Sequence, residues 1–383
     1  MNGKMASSKR STTDWQWGAV TISSLEPNLI LRPEEAFLLG AVKAQINPDA
    51  RATNVELSNI DWEYFATLAM QHGVLPLIYG YLSQYENVLP EVLQAEFRRY
   101  FQLNLGSNYV LARKLLDILS SFKENGLSAF AFKGPSLAMI AYKDLTLRPF
   151  SDLDIFVPKK DVLKAKELLE QRGFTMTFPE PDKDPLEWVD SHYHYTFVKE
   201  ESDLVVEIHW GIAPRFLVPP LDEESWWQQN YQVKLLNASV PRFSPEDQLL
   251  LLCIHGSRHQ WERLIWICDI ALLLKHEMID WSRLIARARS LRCERMVYLG
   301  LLLAHQVLAA PLPETIALRL RHNRAVFQLA DTVCKQLFSS ADAHRASAPS
   351  FFWLLQMRWR DKARLLLHLL RGKFAVETTH REG

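Results

Sequence analysis

The sequence predicts an α+β protein in which a mixed β-sheet core is flanked by helical N- and C-terminal regions. Residues 30–125 carry apolar side chains at the spacing of amphipathic helices. Residues 127–210 contain short apolar segments bounded by Gly and Pro, which is the pattern of strands. The helical spacing returns after Ser244. We therefore divide the chain into a flexible leader, a helical N-terminal region, a core that holds the sheet and a helical C-terminal domain, at residues 1–28, 29–104, 105–240 and 244–375.

In the N-terminal region, helical periodicity is found in PEEAFLLGAVKA, in DWEYFATLAMQHG and in the long segment that begins with PEVLQAEF. The long segment ends in Asn125-Gly126, and a glycine after the last turn is a common helix stop. Residues 1–28 are rich in Ser, Thr and Lys and have no apolar run. We therefore expect a loose leader there rather than a secretory signal.

The middle of the chain alternates strands and helices. LSAFAF at 127–132 reads as a buried strand, SLAMIAYKD as a short helix and DLDIFV at 152–157 as a second strand. Asp161 is the expected cap of the helix VLKAKELLEQR, which Gly173 closes. FTMTF, HYHYTFVK and LVVEIHW follow as strands, and the turn-like EESD between the last two predicts an antiparallel hairpin.

The C-terminal region opens with a helix-start signal, because Ser244 is a suitable N-cap and Pro245 suits the first helical position. Helical periodicity continues from there to about residue 375. The basic, aromatic segment at 351–373 is expected to pack on the domain with its basic face in solvent, rather than to lie on a membrane.

Composition narrows the class of protein. Lys plus Arg and Asp plus Glu each number 44, so the net charge is zero and does not indicate nucleic acid or an anionic membrane as a partner. Four widely spaced cysteines in apolar surroundings suggest reduced core residues and a cytoplasmic location. The apolar runs are too short to span a bilayer. A chain of 383 residues is long enough for two or three domains.

Two aspartates, Asp152 and Asp154, stand two residues apart in an apolar strand. Because strand side chains alternate between faces, both carboxylates project from one face while their neighbours pack the core. The same alternation places Glu207 and His209 on one face of LVVEIHW. If the two strands are neighbours, Glu207 adds a third carboxylate, and such a set is suited to Mg²⁺.

The predicted strand before this one runs into Lys133-Gly134-Pro135-Ser136 and then a helix. A glycine turn at a strand-to-helix junction lets the backbone approach an anion. Lys133 and Arg148 are positioned to add positive charge. The order of anion cradle, short helix and paired carboxylates is suited to a metal-bound triphosphate.

These motifs resemble the nucleotidyltransferase superfamily related to polymerase beta, whose pattern is hG[G/S], then Dh[D/E]h, then a third acid on a later strand. More closely, "FKGPSLAMIAY…LRPFSDLDIFV…VVEIHW" resembles an uncharacterised bacterial nucleotidyltransferase family over roughly residues 30–300. This resemblance implies a nucleotidyltransferase fold that transfers a nucleoside monophosphate from an NTP to an unidentified acceptor and releases pyrophosphate.

The resemblance also implies roles for individual residues. Asp152, Asp154 and Glu207 would bind two Mg²⁺ ions, with Mn²⁺ as an alternative, and Glu207 would help to deprotonate the acceptor. Gly134 and Ser136 would hold the β- and γ-phosphates. Pro135 departs from the superfamily pattern because it lacks an N–H, and we expect Lys133 to compensate.

A second group of polar residues lies in HGSRHQWERLIWICD. His255, His259 and Arg263 are spaced by four, so on one continuous helix they share a face. We predict that Arg263 binds nucleotide and that His255, His259 and His209 contact substrate. For His255 and His259, a structural role in a polar seam between the helical domain and the sheet is an alternative of equal weight. His192 and His194 are interpreted as an ordinary hairpin face.

Alternatives remain at this point. A non-catalytic nucleotide- or partner-binding module would keep the fold without turnover. A metal hydrolase would use His255, His259 and Asp269, whereas a zinc protease is disfavoured because Gly256 replaces the required Glu. The sequence leaves open the acceptor, the preferred NTP, whether the site is active and the oligomeric state.

Overall fold

A computed structural model gives the protein's fold. It describes residues 31–47, 56–85, 88–178, 188–190, 192–215, 217–219 and 224–339, with scattered positions between 348 and 366. The predicted leader at 1–28, and most of the predicted basic helix at 351–373, lie outside the described residues. Within those ranges the fold is α+β, with helical segments on both sides of a mixed sheet in the sequence, as predicted.

The N-terminal region is helical, as its periodicity predicts. Its helices are α1 (Pro33–Ile46), α2 (Trp62–Gln71), α3 (Leu75–Leu82) and α4 (Glu91–Glu124). The Asp61 carboxylate accepts from the Tyr64 N–H at 3.0 Å and caps α2. Helix α4 runs 34 residues to the predicted Asn125-Gly126 stop. The domain boundary predicted at residue 104 therefore falls inside one continuous helix.

The sheet has five strands within the described residues. They are β1 (Phe130–Ala131), β2 (Asp152–Phe156), β3 (Thr175–Phe178), β4 (His194–Lys199) and β5 (Leu204–His209). Their order is β1-β2-β5-β4-β3. Strands β2 and β5 are parallel, and the other three pairings are antiparallel, including the predicted β4–β5 hairpin.

The helices inside this region are α5 (Gly134–Leu137), which continues as a π-helical segment at Ala138–Tyr142, and α6 (Val162–Gln171). Two local predictions need correction. The first strand spans two residues rather than the six predicted at 127–132. Asp161 precedes α6, but its side chain makes no capping hydrogen bond because a 3₁₀ turn, Lys159–Asp161, leads into the helix.

The C-terminal region begins after the short helix α7 (Glu224–Trp227) and the hairpin β6 (Tyr231–Leu235) and β7 (Ala238–Arg242). Ser244 caps the next helix as predicted, because its Oγ accepts from the Asp247 N–H at 3.2 Å. The helices that follow are α8 (Pro245–Arg258), α9 (Leu264–His276), α10 (Trp281–Ser290), α11 (Glu294–Leu308), α12 (Glu314–Arg321) and α13 (Arg324–Gln336).

The predicted continuous helix through HGSRHQWERLIWICD is wrong. Helix α8 ends at Arg258, and Gln260 and Trp261 have φ values of +53° and +58°, which break the helical path. The indole of Trp261 is fully buried and lies where a side chain on Gly256 would project, with ring carbons 2.6–2.7 Å from an added Cβ. Tertiary packing of this ring therefore outweighs the local helical periodicity.

The sheet is covered on both faces. On one face Leu153, Ile155, Val206 and Ile208 pack in a core shared with α4 and α6. On the other face Phe156 joins the larger core built by the helical regions. The polar positions of β2 and β5 therefore face the C-terminal helices. Among the described residues, no helix is long and apolar enough to cross a membrane.

Candidate active site

The site begins with the pairing of β2 and β5. Asp154 is the register partner of Glu207 and Phe156 is the partner of His209, which confirms that the two acidic strands are neighbours. Because partners in a parallel pair share a face, the carboxylates of Asp154 and Glu207 project together. The same face continues onto β4, where Thr196 pairs with Glu207 and His194 pairs with His209.

His209 joins the two carboxylates. Its Nε2 lies 3.1 Å from Asp154 Oδ1 and 3.0 Å from Glu207 Oε2. Lys133 Nζ lies 3.3 Å from the same Asp154 oxygen. Asp154 is 3% exposed and His209 is 4% exposed, so these contacts are shielded from solvent. The other oxygen of Asp154, Oδ2, has no hydrogen-bond partner among the described residues.

The contacts shift the pKa values of all three groups. Burial disfavours ionised Asp154, but Lys133 and the hydrogen bond to His209 outweigh burial and lower its pKa. Burial likewise opposes ionised Glu207, yet the hydrogen bond to His209 lowers its pKa. The pKa of His209 is raised, because its bonds to both acids outweigh the desolvation of the ring. The site therefore holds ionised carboxylates, the state that ligates a cation.

Two aromatic rings fix the His209 imidazole. Phe156, the partner of His209 on β2, stacks on its ring at 5.3 Å between ring centroids. His194, the partner of His209 on β4, stacks on it at 5.5 Å. Burial lowers the pKa of His194 to about 3, so this second ring is neutral at pH 7. The sequence interpretation of His194 as an ordinary hairpin residue missed this position. The alternation of side chains along β4 puts His194 and Thr196 on one face, but only the order of the strands shows that this face adjoins His209 and Glu207.

The residues fit a divalent metal ion. Asp154, Glu207 and His209 each offer a ligand atom, and these atoms lie within 4.8 Å of one another, the one such group found among the described residues. A buried carboxylate oxygen without a partner supports the same conclusion. Asp152, predicted as a ligand, lies outside this group. It is half-buried and lines the adjacent cavity.

The predicted glycine turn lies directly against the acidic strand. Gly134 has φ +52°, and an added Cβ would lie 3.3 Å from the carbonyl oxygen of Asp152. Only glycine fits this left-handed turn and close approach without strain. Ser136, however, is fully buried, does not line the cavity, and has a hydroxyl with no hydrogen-bond partner within the described part of the chain.

Arg148 is fixed from two directions. The buried Asn108 amide on α4 donates to the Arg148 carbonyl at 2.9 Å, which anchors the loop before β2. The guanidinium donates to both carboxylate oxygens of Asp269 on α9, from Nε at 2.8 Å and from Nη2 at 2.9 Å. The Tyr142 hydroxyl also donates to Asp269 Oδ1 at 2.8 Å. This buried pair joins the sheet region to the C-terminal helices.

A cavity of about 1120 Å³ lies between the sheet and the helices. Eight of the predicted site residues line it: Lys133, Gly134, Arg148, Asp152, Asp154, His255, His259 and Arg263. Glu207, His209 and Ser136 do not. Further lining residues that the sequence interpretation did not identify include Lys114 and Asn104 on α4, Asp203, and Trp266 on α9.

The wall opposite the acids is aromatic and basic. His255 and His259 lie 4.7 Å apart between ring centroids, and the Trp266 ring lies 5.3 and 5.2 Å from them. Burial lowers the pKa of both histidines well below the usual value, and nearby cations, including Arg258, add to the shift. Arg263 occupies the position before α9, and its side chain does not cap the helix but donates from Nε to the Gln71 carbonyl at 3.1 Å.

The metal-hydrolase alternative has no support in this geometry. It requires His255, His259 and Asp269 to share a metal, but both oxygens of Asp269 accept hydrogen bonds from Arg148. Among the described residues these three do not form a group of converging ligand atoms. The partnership of Asp269 with Arg148 was not predicted, since the two residues are 121 positions apart and neither has a local signal for the other.

Comparison with known proteins supports the family that the sequence motifs resemble. A family model described as an uncharacterised nucleotidyltransferase matches residues 58–309, well over half of the chain. The match begins just before α2, ends just after α11 and includes every predicted site residue. A search of curated proteins finds no match. The chain belongs to this family of uncharacterised nucleotidyltransferases.

Proposed function

We propose that the protein transfers a nucleoside monophosphate from an NTP to an acceptor, with a divalent metal ion held at Asp154 and Glu207. The observation that supports this most strongly is the pairing of these two carboxylates on parallel strands, with Asp154 lining a large cavity that also contains cationic groups. The acceptor nucleophile would attack the α-phosphorus, the bond to the bridging oxygen of the β-phosphate would break, and pyrophosphate would leave.

Positive charge lines the space proposed for the triphosphate. Lys133 and Arg263 approach from different walls of the cavity, and we propose that both bind phosphate oxygens. Arg148 uses Nε and Nη2 on Asp269, so its phosphate contact would come from Nη1, which also donates to the Pro149 carbonyl at 3.4 Å. We propose that the backbone turn at Gly134 receives the β- and γ-phosphates. A buried Ser136 would contribute through its backbone rather than its hydroxyl.

The acidic residues have separate proposed tasks. Asp154 and Glu207 would hold a metal ion, Mg²⁺ or Mn²⁺, and Asp152 would hold a second ion when the nucleotide supplies further oxygen ligands. Bound metal supplies charge stabilisation to the reacting phosphate. Glu207 would receive the proton lost by the acceptor. His255 and His259 are proposed to position substrate from the aromatic wall of the cavity, whereas His209, predicted as a substrate contact, does not line the cavity.

Labelled nucleotides test the proposal. Purified protein is incubated with each of the four NTPs, labelled at the α-phosphate, with Mg²⁺ or Mn²⁺ and a cell extract as the source of acceptor. We expect label on one class of acceptor together with release of pyrophosphate. Transfer of label from γ-labelled NTP instead would indicate a phosphotransferase. Nucleotide binding without any transfer would indicate the non-catalytic binding module.

A matched pair of variants ties the activity to the site. Asp154→Asn should reduce transfer by roughly 100-fold or more, the scale seen when one electrostatic contact to a transition state is lost. Asp203→Asn changes another aspartate of the same cavity, at a left-handed φ of +49° that asparagine also tolerates. This control should keep its activity. Equal activity in both variants would contradict the placement of the site.

A further inference from the structure

His209 lies at the distance of a neighbouring octahedral ligand from both carboxylates of the acidic site. Nε2 of His209 is 3.1 Å from Asp154 Oδ1 and 3.0 Å from Glu207 Oε2. In an octahedral complex with metal–ligand distances of about 2.1 Å, neighbouring ligand atoms lie about 3.0 Å apart. His209 Nε2 thus has the spacing of a neighbouring octahedral ligand to each of the two carboxylate oxygens, and a bound metal ion would take the place of the proton that the ring shares with them.

The imidazole is held in this position by its surroundings. Phe156 and His194 stack on the ring at interplanar angles of 16° and 18°, and the ring is almost completely buried. A fixed ring has little conformational entropy left to lose when it binds a metal ion. Asp154 Oδ2, which has no hydrogen-bond partner among the described residues, leaves this carboxylate free to ligate through a second oxygen.

The identity of the third ligand affects the choice of metal. Mg²⁺ is a hard cation that prefers oxygen ligands, and it is usually held by one or two carboxylates together with substrate phosphates. An imidazole nitrogen favours first-row transition metals, and Mn²⁺ accepts carboxylates as well. We propose that Asp154, Glu207 and His209 bind Mn²⁺ in preference to Mg²⁺, and that they do so before any nucleotide is bound.

This inference deepens the proposed function by naming the metal of the same site, and its relevance to transfer rests on that function. It also makes His209 the ligand that determines the choice of metal, and it leaves Asp152 out of the metal site that forms without nucleotide. Since Asp152 lies outside the group of converging ligand atoms, binding of Mn²⁺ without nucleotide should not require it. A metal site formed by Asp152 and Asp154 alone would have no imidazole ligand, so it would neither prefer Mn²⁺ to Mg²⁺ nor bind Mn²⁺ before nucleotide.

Metal binding is measured directly, without nucleotide and without an activity assay. The full-length protein is titrated with Mn²⁺ while the electron paramagnetic resonance signal of the free ion is followed, and Mg²⁺ is added in competition. We expect wild type to bind Mn²⁺ at least about 10-fold more tightly than Mg²⁺. His209→Asn should weaken Mn²⁺ binding by roughly 10-fold or more, and bring the two affinities together.

Two control variants sharpen the comparison. Asp152→Asn and His255→Gln alter a carboxylate and a buried imidazole of the neighbouring cavity, and both should bind Mn²⁺ like wild type. Equal affinity of wild type for Mn²⁺ and Mg²⁺, or unchanged Mn²⁺ binding in His209→Asn, would overturn the inference. So would loss of binding in Asp152→Asn with its fold intact by circular dichroism.

A measurement on wild type covers the case in which His209→Asn does not fold. Electron spin-echo modulation of bound Mn²⁺ should show coupling to an imidazole nitrogen, and absence of this coupling would refute the assignment of His209. If Mn²⁺ binds with nitrogen coupling but no nucleotide is transferred, the metal site is supported and the proposed function is contradicted. The two proposals therefore fail in different assays.

Discussion

Asp269→Asn tests the buried ion pair that joins the sheet to the C-terminal helices. Arg148 is 6% exposed and Asp269 is 1% exposed, and they share hydrogen bonds of 2.8 and 2.9 Å. Asparagine keeps the size of the side chain and one oxygen, but its amide group would face a guanidinium donor. The always-protonated Arg148 would then be buried without a counter-charge.

The expected loss follows from that uncompensated charge. Removing one partner of a buried ion pair costs about 3–5 kcal/mol. The Tyr142 hydroxyl, 2.8 Å from the same carboxylate, also loses its ionised acceptor. We therefore expect the free energy of unfolding to fall by about 3–5 kcal/mol. Urea titration followed by both tryptophan fluorescence and circular dichroism measures it, and coincident curves are needed before one value is quoted.

Two further variants decide what the loss means. Asp331→Asn removes the partner of Lys335 in an ion pair of which both members are more than half exposed, and should change stability by less than about 1 kcal/mol. The double variant Arg148→Met with Asp269→Leu removes both charges and should recover much of the lost stability. A loss in Asp269→Asn no larger than that in Asp331→Asn would refute the reasoning.

Three other predictions concern backbone, packing and pH. Gly134→Ala and Gly126→Ala both force alanine to a positive φ, which should cost about 1–2 kcal/mol of stability in each variant. Gly134 also lies against the Asp152 carbonyl, so only Gly134→Ala should weaken NTP binding, as measured by calorimetry. Gly256→Ala should lose about 1–3 kcal/mol in urea titration, because its Cβ meets a buried indole at 2.6 Å; unchanged stability would contradict this packing. Burial lowers the pKa of His255 well below 6.5 in the folded protein. When the pH falls below 6.5, His255 therefore takes up a proton in the unfolded chain but not in the folded protein, which favours unfolding. Wild type should therefore lose about 2 kcal/mol more than His255→Gln between pH 7 and pH 5, and equal pH dependence would show that His255 is not buried in the neutral form.

Local sequence determined the faces of the elements. The alternation in DLDIFV and LVVEIHW placed Asp154 and Glu207 on one face of each strand, because strand side chains have a period of two residues. Helix stops and caps at Gly126 and Ser244 were also correct, since capping depends on a few neighbouring residues. These features require no information about distant parts of the chain.

Tertiary structure decided which faces meet. The β2–β5 register placed His209 beside both acids and left Asp152 outside their group, and the alternation alone does not fix it because a two-residue slip keeps the same faces buried. Burial of Trp261 broke the helix that the spacing of His255, His259 and Arg263 predicted, and the folded loop brought these residues to one cavity by another route. Local periodicity encodes which side of an element is buried, whereas the partner on that side depends on packing across the whole chain.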